Sequence, residues 1–267
     1  MGGRIDWTLR QTVHAVSRMR WQPKVRLTPH PNLRRLGTAY GGWTFVETPS
    51  LNKCQLISCG LGEDGSFDVE FARRYSAEVV IVDPTPRAIS HFQSIKTRIG
   101  LGRERDYVEG GCQPAEAYEC TDLSPSQLTL VASALGDEVG VARFYAPANP
   151  AHVSHSLVNY QNQYSTDTPF IEVPQTTWEK LLETVDVDRL AAVKMDIEGA
   201  EIAVLPKILE SGHAPSQIMV EFDELNVPSN RGKRNYEESD ALLRKHGYLL
   251  AHHDSRADFL YVHASLY

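Results

Sequence analysis

Two short stretches carry the residue types and spacings that chemistry needs. The first is Gly60-Leu61-Gly62-Glu63-Asp64-Gly65, with Asp83 following 23 residues after Gly60. Glycines at the first and third positions permit a tight turn and let backbone approach a ligand closely. An aspartate at that distance can accept two hydrogen bonds from ribose hydroxyls. Taken literally, the G-x-G-x-x-G pattern fits a dinucleotide. Glu63 and Asp64, however, put two carboxylates where a pyrophosphate would sit, and Coulomb repulsion opposes it. A phosphate-free nucleoside with a cationic centre meets no such repulsion, and S-adenosylmethionine, with its sulfonium and ammonium, is one.

The second stretch is Lys194-Met195-Asp196-Ile197-Glu198-Gly199-Ala200-Glu201. On a strand, residues two apart share a face, so Lys194, Asp196 and Glu198 project together while Met195 and Ile197 enter the opposite layer. Gly199 permits a turn into a helix whose first turn holds Glu201 at the positive dipole end. Three carboxylates so close in sequence are costly unless they are paired with a cation or put to use, and Asp196 is the one read as functional.

Both stretches need strand ends beneath them. Nearly continuous apolar runs at 55–59, 79–82, 128–132, 191–195 and 217–222 read as strands covered on both faces. Between them, helical patterns run over 65–76, 86–100, 176–185, 200–210 and 236–246, with Thr177 an N-cap and Pro206 predicting a kink or a late start in the fourth. This alternation predicts an α/β fold with a parallel sheet and crossover helices. The runs 248–252 and 258–263 predict a closing antiparallel hairpin, placing His252, His253 and His263 at a surface or edge. Two segments break the rhythm, 137–175 and a polar loop at 224–235 with Arg231, Lys233 and Arg234. Both border strand carboxyl ends, where open α/β sheets bind ligands, and both are expected to cover a substrate.

The loop from Gly60 to Asp68, the Val82-Asp83-Pro84-Thr85-Pro86 step, the Ala134-Leu135-Gly136-Asp137 turn and above all the 194–201 motif resemble FkbM-family S-adenosylmethionine-dependent methyltransferases. The resemblance runs from about Tyr40 to Phe259 and includes Tyr40-Gly41-Gly42-Trp43 ahead of the core. It departs at Asp83, where the family more often has Glu, in the opening of the glycine loop, and at His155, where small residues are usual. What it implies is a class I, Rossmann-like fold with a seven-stranded, mostly parallel sheet whose last strand is antiparallel. It also implies O-methylation of a hydroxyl on a sugar, polyketide or related metabolite. Cofactor contacts would come from Ser58, Gly60, Leu61, Gly62, Glu63 and Asp83, and from Pro84, Ser133, Ala134 and Asp196.

A hydroxyl acceptor must shed a proton as it gains a methyl group. Asp196, Glu221 and His155 are candidate bases, with His152 in the same segment as His155. No metal is the simpler expectation. Alternatively, Asp196, Glu221 and Asp223 at adjacent strand ends could hold Mg²⁺ through hard oxygen ligands and lower the acceptor's pKa. Two other functions compete: an NAD-dependent oxidoreductase on a Rossmann fold, and a noncatalytic S-adenosylmethionine-binding module.

Composition sets the outer bounds. At 267 residues, 42% hydrophobic and 23% charged, with 18 Gly and 15 Pro, the chain is neither collagen-like nor disordered. No run approaches the ~20 apolar residues that span a bilayer. Four irregularly spaced cysteines read as buried thiols in a reducing compartment. A soluble, cytoplasmic protein is the expectation. Residues 1–36 carry eight Lys or Arg against Asp6 alone, within a chain of net charge −7. The rest is therefore acidic, which disfavours nucleic acid as a partner. The chain divides at this level into a basic N-terminal extension, 1–39, and a methyltransferase-like domain, 40–267. The extension could serve a homo-oligomer or an acidic partner.

Overall fold

Apolar runs covered on both faces settle as adjacent parallel strands, and they do so here. The computed structural model describes residues 24–147, 155–159, 161–162, 164–226, 229–254 and 256–267. β1 (Leu33–Leu36) and β2 (Trp43–Val46) pair antiparallel ahead of the main sheet. β3 (Gln55–Cys59), α1 (Ser66–Tyr75), β4 (Glu78–Val82), α2 (Pro86–Thr97) and β5 (Leu128–Val131) follow as two parallel crossovers. β6 (Ala134–Leu135), β7 (Gly140–Tyr145) and β8 (Phe170–Thr176) form a small sheet of their own, in the order β6-β8-β7. The chain then returns through α3 (Trp178–Thr184), β9 (Leu190–Met195), α4 (Glu201–Glu210), β10 (Gln217–Glu221) and α5 (Asn230–Lys245) to the hairpin β11 (Tyr248–His253) and β12 (Asp258–His263). The seven-stranded sheet has the order β11-β12-β10-β9-β3-β4-β5. β12, the last strand, runs antiparallel to both its neighbours.

Strand periodicity divides the core into two layers. Leu56 and Ile81 point into a cluster with Phe67 and Phe71 of α1 and Phe92 and Ile95 of α2. Ile57, Val193 and Val220 point the other way, onto Trp178 of α3, Leu205 and Ile208 of α4 and Tyr236 of α5. The crossovers on the two sides of β3 therefore cover opposite faces. The chain switches direction between β3 and β9, which opens a crevice at their carboxyl ends. The β1–β2 pair closes the first layer. Phe45 packs edge-on against Phe67, Phe71 and Tyr75 at 6.2, 5.4 and 5.8 Å. The fully buried Gln217 accepts from Val46 N at 2.7 Å and donates to Val46 O at 2.8 Å, fastening the pair to β10.

Four expectations need correction. Residues 230–235 are helical rather than loop. Ser229 caps α5 by accepting from Gly232 N at 2.9 Å, and the polar first turns carry no apolar period to betray the helix. The 137–175 segment contains the strands β7 and β8, hidden in sequence by Pro174 and by alternation too exposed to read as core. α4 begins at Glu201 and runs on through Pro206, so the late start does not occur. Cys54, Cys59 and Cys120 are buried, but Cys112 is exposed.

Candidate active site

The crevice is a cavity of about 960 Å³ running along one edge of the sheet, from β4 across β3 and β9 to β10 and the start of β12. Nine carboxylates line it against three Lys or Arg side chains.

Its floor is the glycine turn. Gly60 has φ +87°, and a Cβ there would lie 2.0 Å from Asp196 O, so the close approach of β9 excludes any side chain. Leu61 N and Gly62 N both donate to Asp83 Oδ2, at 2.9 and 3.1 Å. Asp83 Oδ1 accepts from Thr85 N at 2.9 Å and from Thr85 Oγ1 at 2.7 Å. A carboxylate offers about four acceptor directions, and all four are engaged within the protein. Asp83 thus lines the cavity at 5% exposure while shaping the turn. Glu63 pairs with Arg87, which offsets part of the negative charge expected there. Asp64 is buried, accepting from Thr38 Oγ1 at 2.6 Å and Ser66 N at 3.0 Å. Tyr118, which no sequence pattern marked, accepts from Gly65 N at 3.0 Å and lies 2.7 Å from His91 Nε2. Cys112 forms an isolated parallel bridge with Glu63, holding the 103–113 loop against the turn.

Beside the floor stands the acidic turn after β9. Lys194 is 4% exposed; its Nζ donates to Gly60 O, lies 3.8 Å from Asp196 Oδ2 and sits 5.5 Å from the Trp43 ring centroid. Met195 and Ile197 enter the opposite layer, in keeping with the strand alternation. Glu198 and Gly199 are consecutive left-handed residues, φ +57° and +99°, and this reverses the chain into α4. The reversal turns Glu198 toward the covering segment: Ser156 Oγ donates to Glu198 O, and Gln161 Nε2 donates to Glu198 Oε2 at 3.0 Å. Glu201 is wholly buried and accepts from Ile197 N at 3.0 Å. Burial pushes its carboxyl up to about 8, against the opposing pull of backbone donors.

The far end is built by β10 and β12. Glu221 and Asp258 are directly opposed in the antiparallel register. Desolvation, then Asp196 and Asp258, hold the Glu221 carboxyl well above the usual range. Asp258 is pushed up to about 7 by burial first, then by Asp254 and Asp196. Asn226 Nδ2 donates to Glu221 Oε1 at 2.9 Å and to Asp223 Oδ1 at 2.8 Å. Sequence reading missed Asp258, because only the strand register brings it to Glu221.

Of the residues singled out from sequence, Gly60, Leu61, Gly62, Glu63, Asp83 and Pro84 line the cavity, as do Ala134, Asp196, Glu221, Asp223 and His155. Ser58 and Ser133 do not: Ser58 is fully buried within β3, and Ser133 precedes β6 off the cavity wall. His155 stacks on Phe144, ring centroids 6.0 Å apart. His152 lies outside the described residues, as do residues 1–23 of the basic lead. His252, expected at a surface or edge, faces the cavity, and burial lowers its pKa. No group of three or more His, Cys, Asp or Glu among the described residues is arranged to hold a metal ion, so Mg²⁺ at Asp196, Glu221 and Asp223 finds no support. No helix among them is long and apolar enough to cross a membrane.

A family model described as the Methyltransferase FkbM domain matches residues 5–250. Among solved structures, a fibrillarin pre-rRNA processing protein of Methanococcus jannaschii is similar at 8% sequence identity and a TM-score of 0.39, over 90% of this chain and 86% of that one. No curated protein matches the chain.

Proposed function

This chain belongs to the FkbM methyltransferase family, and from that premise we propose that it moves a methyl group from S-adenosylmethionine to a hydroxyl of a small metabolite such as a sugar or polyketide. The observation that carries the reading is the cavity's charge: nine carboxylates and three cations around a glycine turn. Such a lining suits a ligand with a sulfonium and an ammonium and opposes a diphosphate, which is the argument against NAD.

The residues present fit that cofactor. Ala134, Leu135, Phe144 and Leu157 make an apolar wall next to Asp83, suited to a flat purine, with His155 stacked behind Phe144. The turn at Gly60–Gly62, bare of side chains where β9 presses closest, would lie under the ribose and the amino-acid portion. Glu63 at the rim would accept from ribose hydroxyls. Asp83 acts first by fixing the turn's amides, and it contacts the ribose only by exchanging one of its four donors. Asp196 and Glu198 face the cationic portion.

When bound, S-adenosylmethionine supplies an activated methyl group on a leaving thioether. Positioning therefore dominates what the protein must do. Asp196, at the carboxyl end of β9 and partly exposed to the cavity, takes the acceptor's hydroxyl proton on its carboxylate. Lys194, anchored on Gly60 O and the Trp43 face, holds that carboxylate in register with the glycine turn. Glu221 stands one strand further on, at the acceptor's end.

Titration calorimetry with S-adenosylhomocysteine tests the reading, alongside NADH fluorescence titration. One-site binding of the former with no NADH response is expected. NADH binding without S-adenosylhomocysteine binding would overturn it. Tight S-adenosylhomocysteine binding without turnover across a broad hydroxylated panel would favour a noncatalytic module.

A further inference from the structure

The acceptor end of the cavity holds three carboxylates, Glu221, Asp223 and Asp258, and no direct ion pair among the described residues neutralises them. Glu221 and Asp258 face each other directly across β10 and β12, a like-charge pairing that destabilises a ladder unless something intervenes. Asp223, 7% exposed, lines the same end. None of the three takes part in an ion pair among the described residues. The side-chain donor they receive is one neutral amide, Asn226, shared between Glu221 and Asp223. Asp223 Oδ2 is buried and has no donor at all. Of the cavity's cations, Arg35 is held on Thr38 O at 2.8 Å and Ala39 O at 3.2 Å, and Arg256 makes no ion pair among the described residues. Arg35 and Lys194 draw on Asp258 more weakly than Asp254 and Asp196 repel it.

Such a trio calls for positive charge brought by a ligand. A proton can relieve part of the repulsion, and the raised Glu221 and Asp258 are consistent with that. A bare metal ion is disfavoured, because the described carboxylates do not converge as a ligand set. An organic ammonium has tetrahedrally spread donors and needs no such convergence.

We infer that the acceptor carries an ammonium group beside the hydroxyl that is methylated, seated among Glu221, Asp223 and Asp258 as an amino sugar or amino alcohol would be. The inference rests on the methyltransferase reading and narrows its substrate class. A neutral polyol would leave the three carboxylates facing one another, whereas an ammonium there would leave its neighbouring hydroxyl one strand away, at Asp196.

The test uses the full chain saturated with S-adenosylhomocysteine, so that the cofactor's own ammonium is already in place. Binding of glucosamine, galactosamine and 2-amino-1,3-propanediol is measured by calorimetry against their N-acetyl forms and against glucose, galactose and glycerol. At least one amine is expected to bind about tenfold or more tightly than its neutral partners, as a charge-assisted contact implies. Asp223→Asn, Glu221→Gln and Asp258→Asn, which keep side-chain shape, should each erase that preference. Thermal melts and S-adenosylhomocysteine affinity report whether the variants fold. Neutral forms binding as well as the amines, or no amine binding to the loaded protein, overturns the inference alone. Failure of S-adenosylhomocysteine to bind removes the methyltransferase reading, and this inference with it.

Discussion

Glu201 shows how a single carboxyl can serve geometry at the expense of stability. Its Oε1 holds Ile197 N, which keeps the acidic turn folded back, yet Oε2 is buried without a donor. Burial lifts the group to about 8 from an ordinary 4.5, so the folded state binds a proton that the unfolded chain releases near pH 4.5. The stability tied to that proton is complete below about pH 4.5 and is lost as pH rises toward 8. Glu201→Gln keeps the acceptor for Ile197 N and cannot ionise. Urea melts from pH 5 to 8 should show the wild type losing stability relative to the variant by roughly 3 kcal/mol across that window. Parallel pH profiles for the two would refute the assignment. The motif made Glu201 legible as a helix-start carboxylate, but not as a proton-holding one, since burial is a property of the packed α4.

Among the elements, the β1–β2 pair was concealed in the sequence, as β7 and β8 were. Four-residue strands on either side of a Gly-Gly turn carry too short a pattern to read, so residues 33–46 appeared as a basic lead and a motif rather than as strands. The pair nevertheless places Tyr40 and Trp43 on the cavity wall. Its attachment to the sheet runs through the two Gln217 bonds to Val46. Gln217→Ala would strand a buried N–H and a buried C=O together, at a cost of about 3 kcal/mol. Hydrogen exchange should find the Val46 amide losing protection ahead of β3 and β9, with S-adenosylhomocysteine affinity falling as Trp43 loosens. Global loss of protection at one rate would mean the pair is not a separate unit. α5 began earlier than periodicity implied for a related reason: a cap, not an apolar stripe, starts it.

At the scale of the whole molecule, the alternation of apolar runs and helical periods was enough for the parallel sheet, its five parallel core strands and the closing hairpin. Strand order was not readable from the runs themselves, and the acceptor end depends on it, because Asp258 meets Glu221 only once β12 inserts beside β10. Glycine-turn and acidic-turn residues were legible because each sits at the end of its own strand. Ser58 and Ser133 were not separable from their neighbours by any local signal. One thiol lets the assembled state be watched from outside. Cys54 and Cys59 are pushed up to about 12 and Cys120 to about 11 by burial, leaving Cys112 as the accessible sulfur, joined by backbone to the turn at Glu63. A maleimide dye should therefore attach once per molecule and change its emission when S-adenosylhomocysteine settles, giving a built-in optical gauge of occupancy. Multiple labelling of the native protein would contradict that.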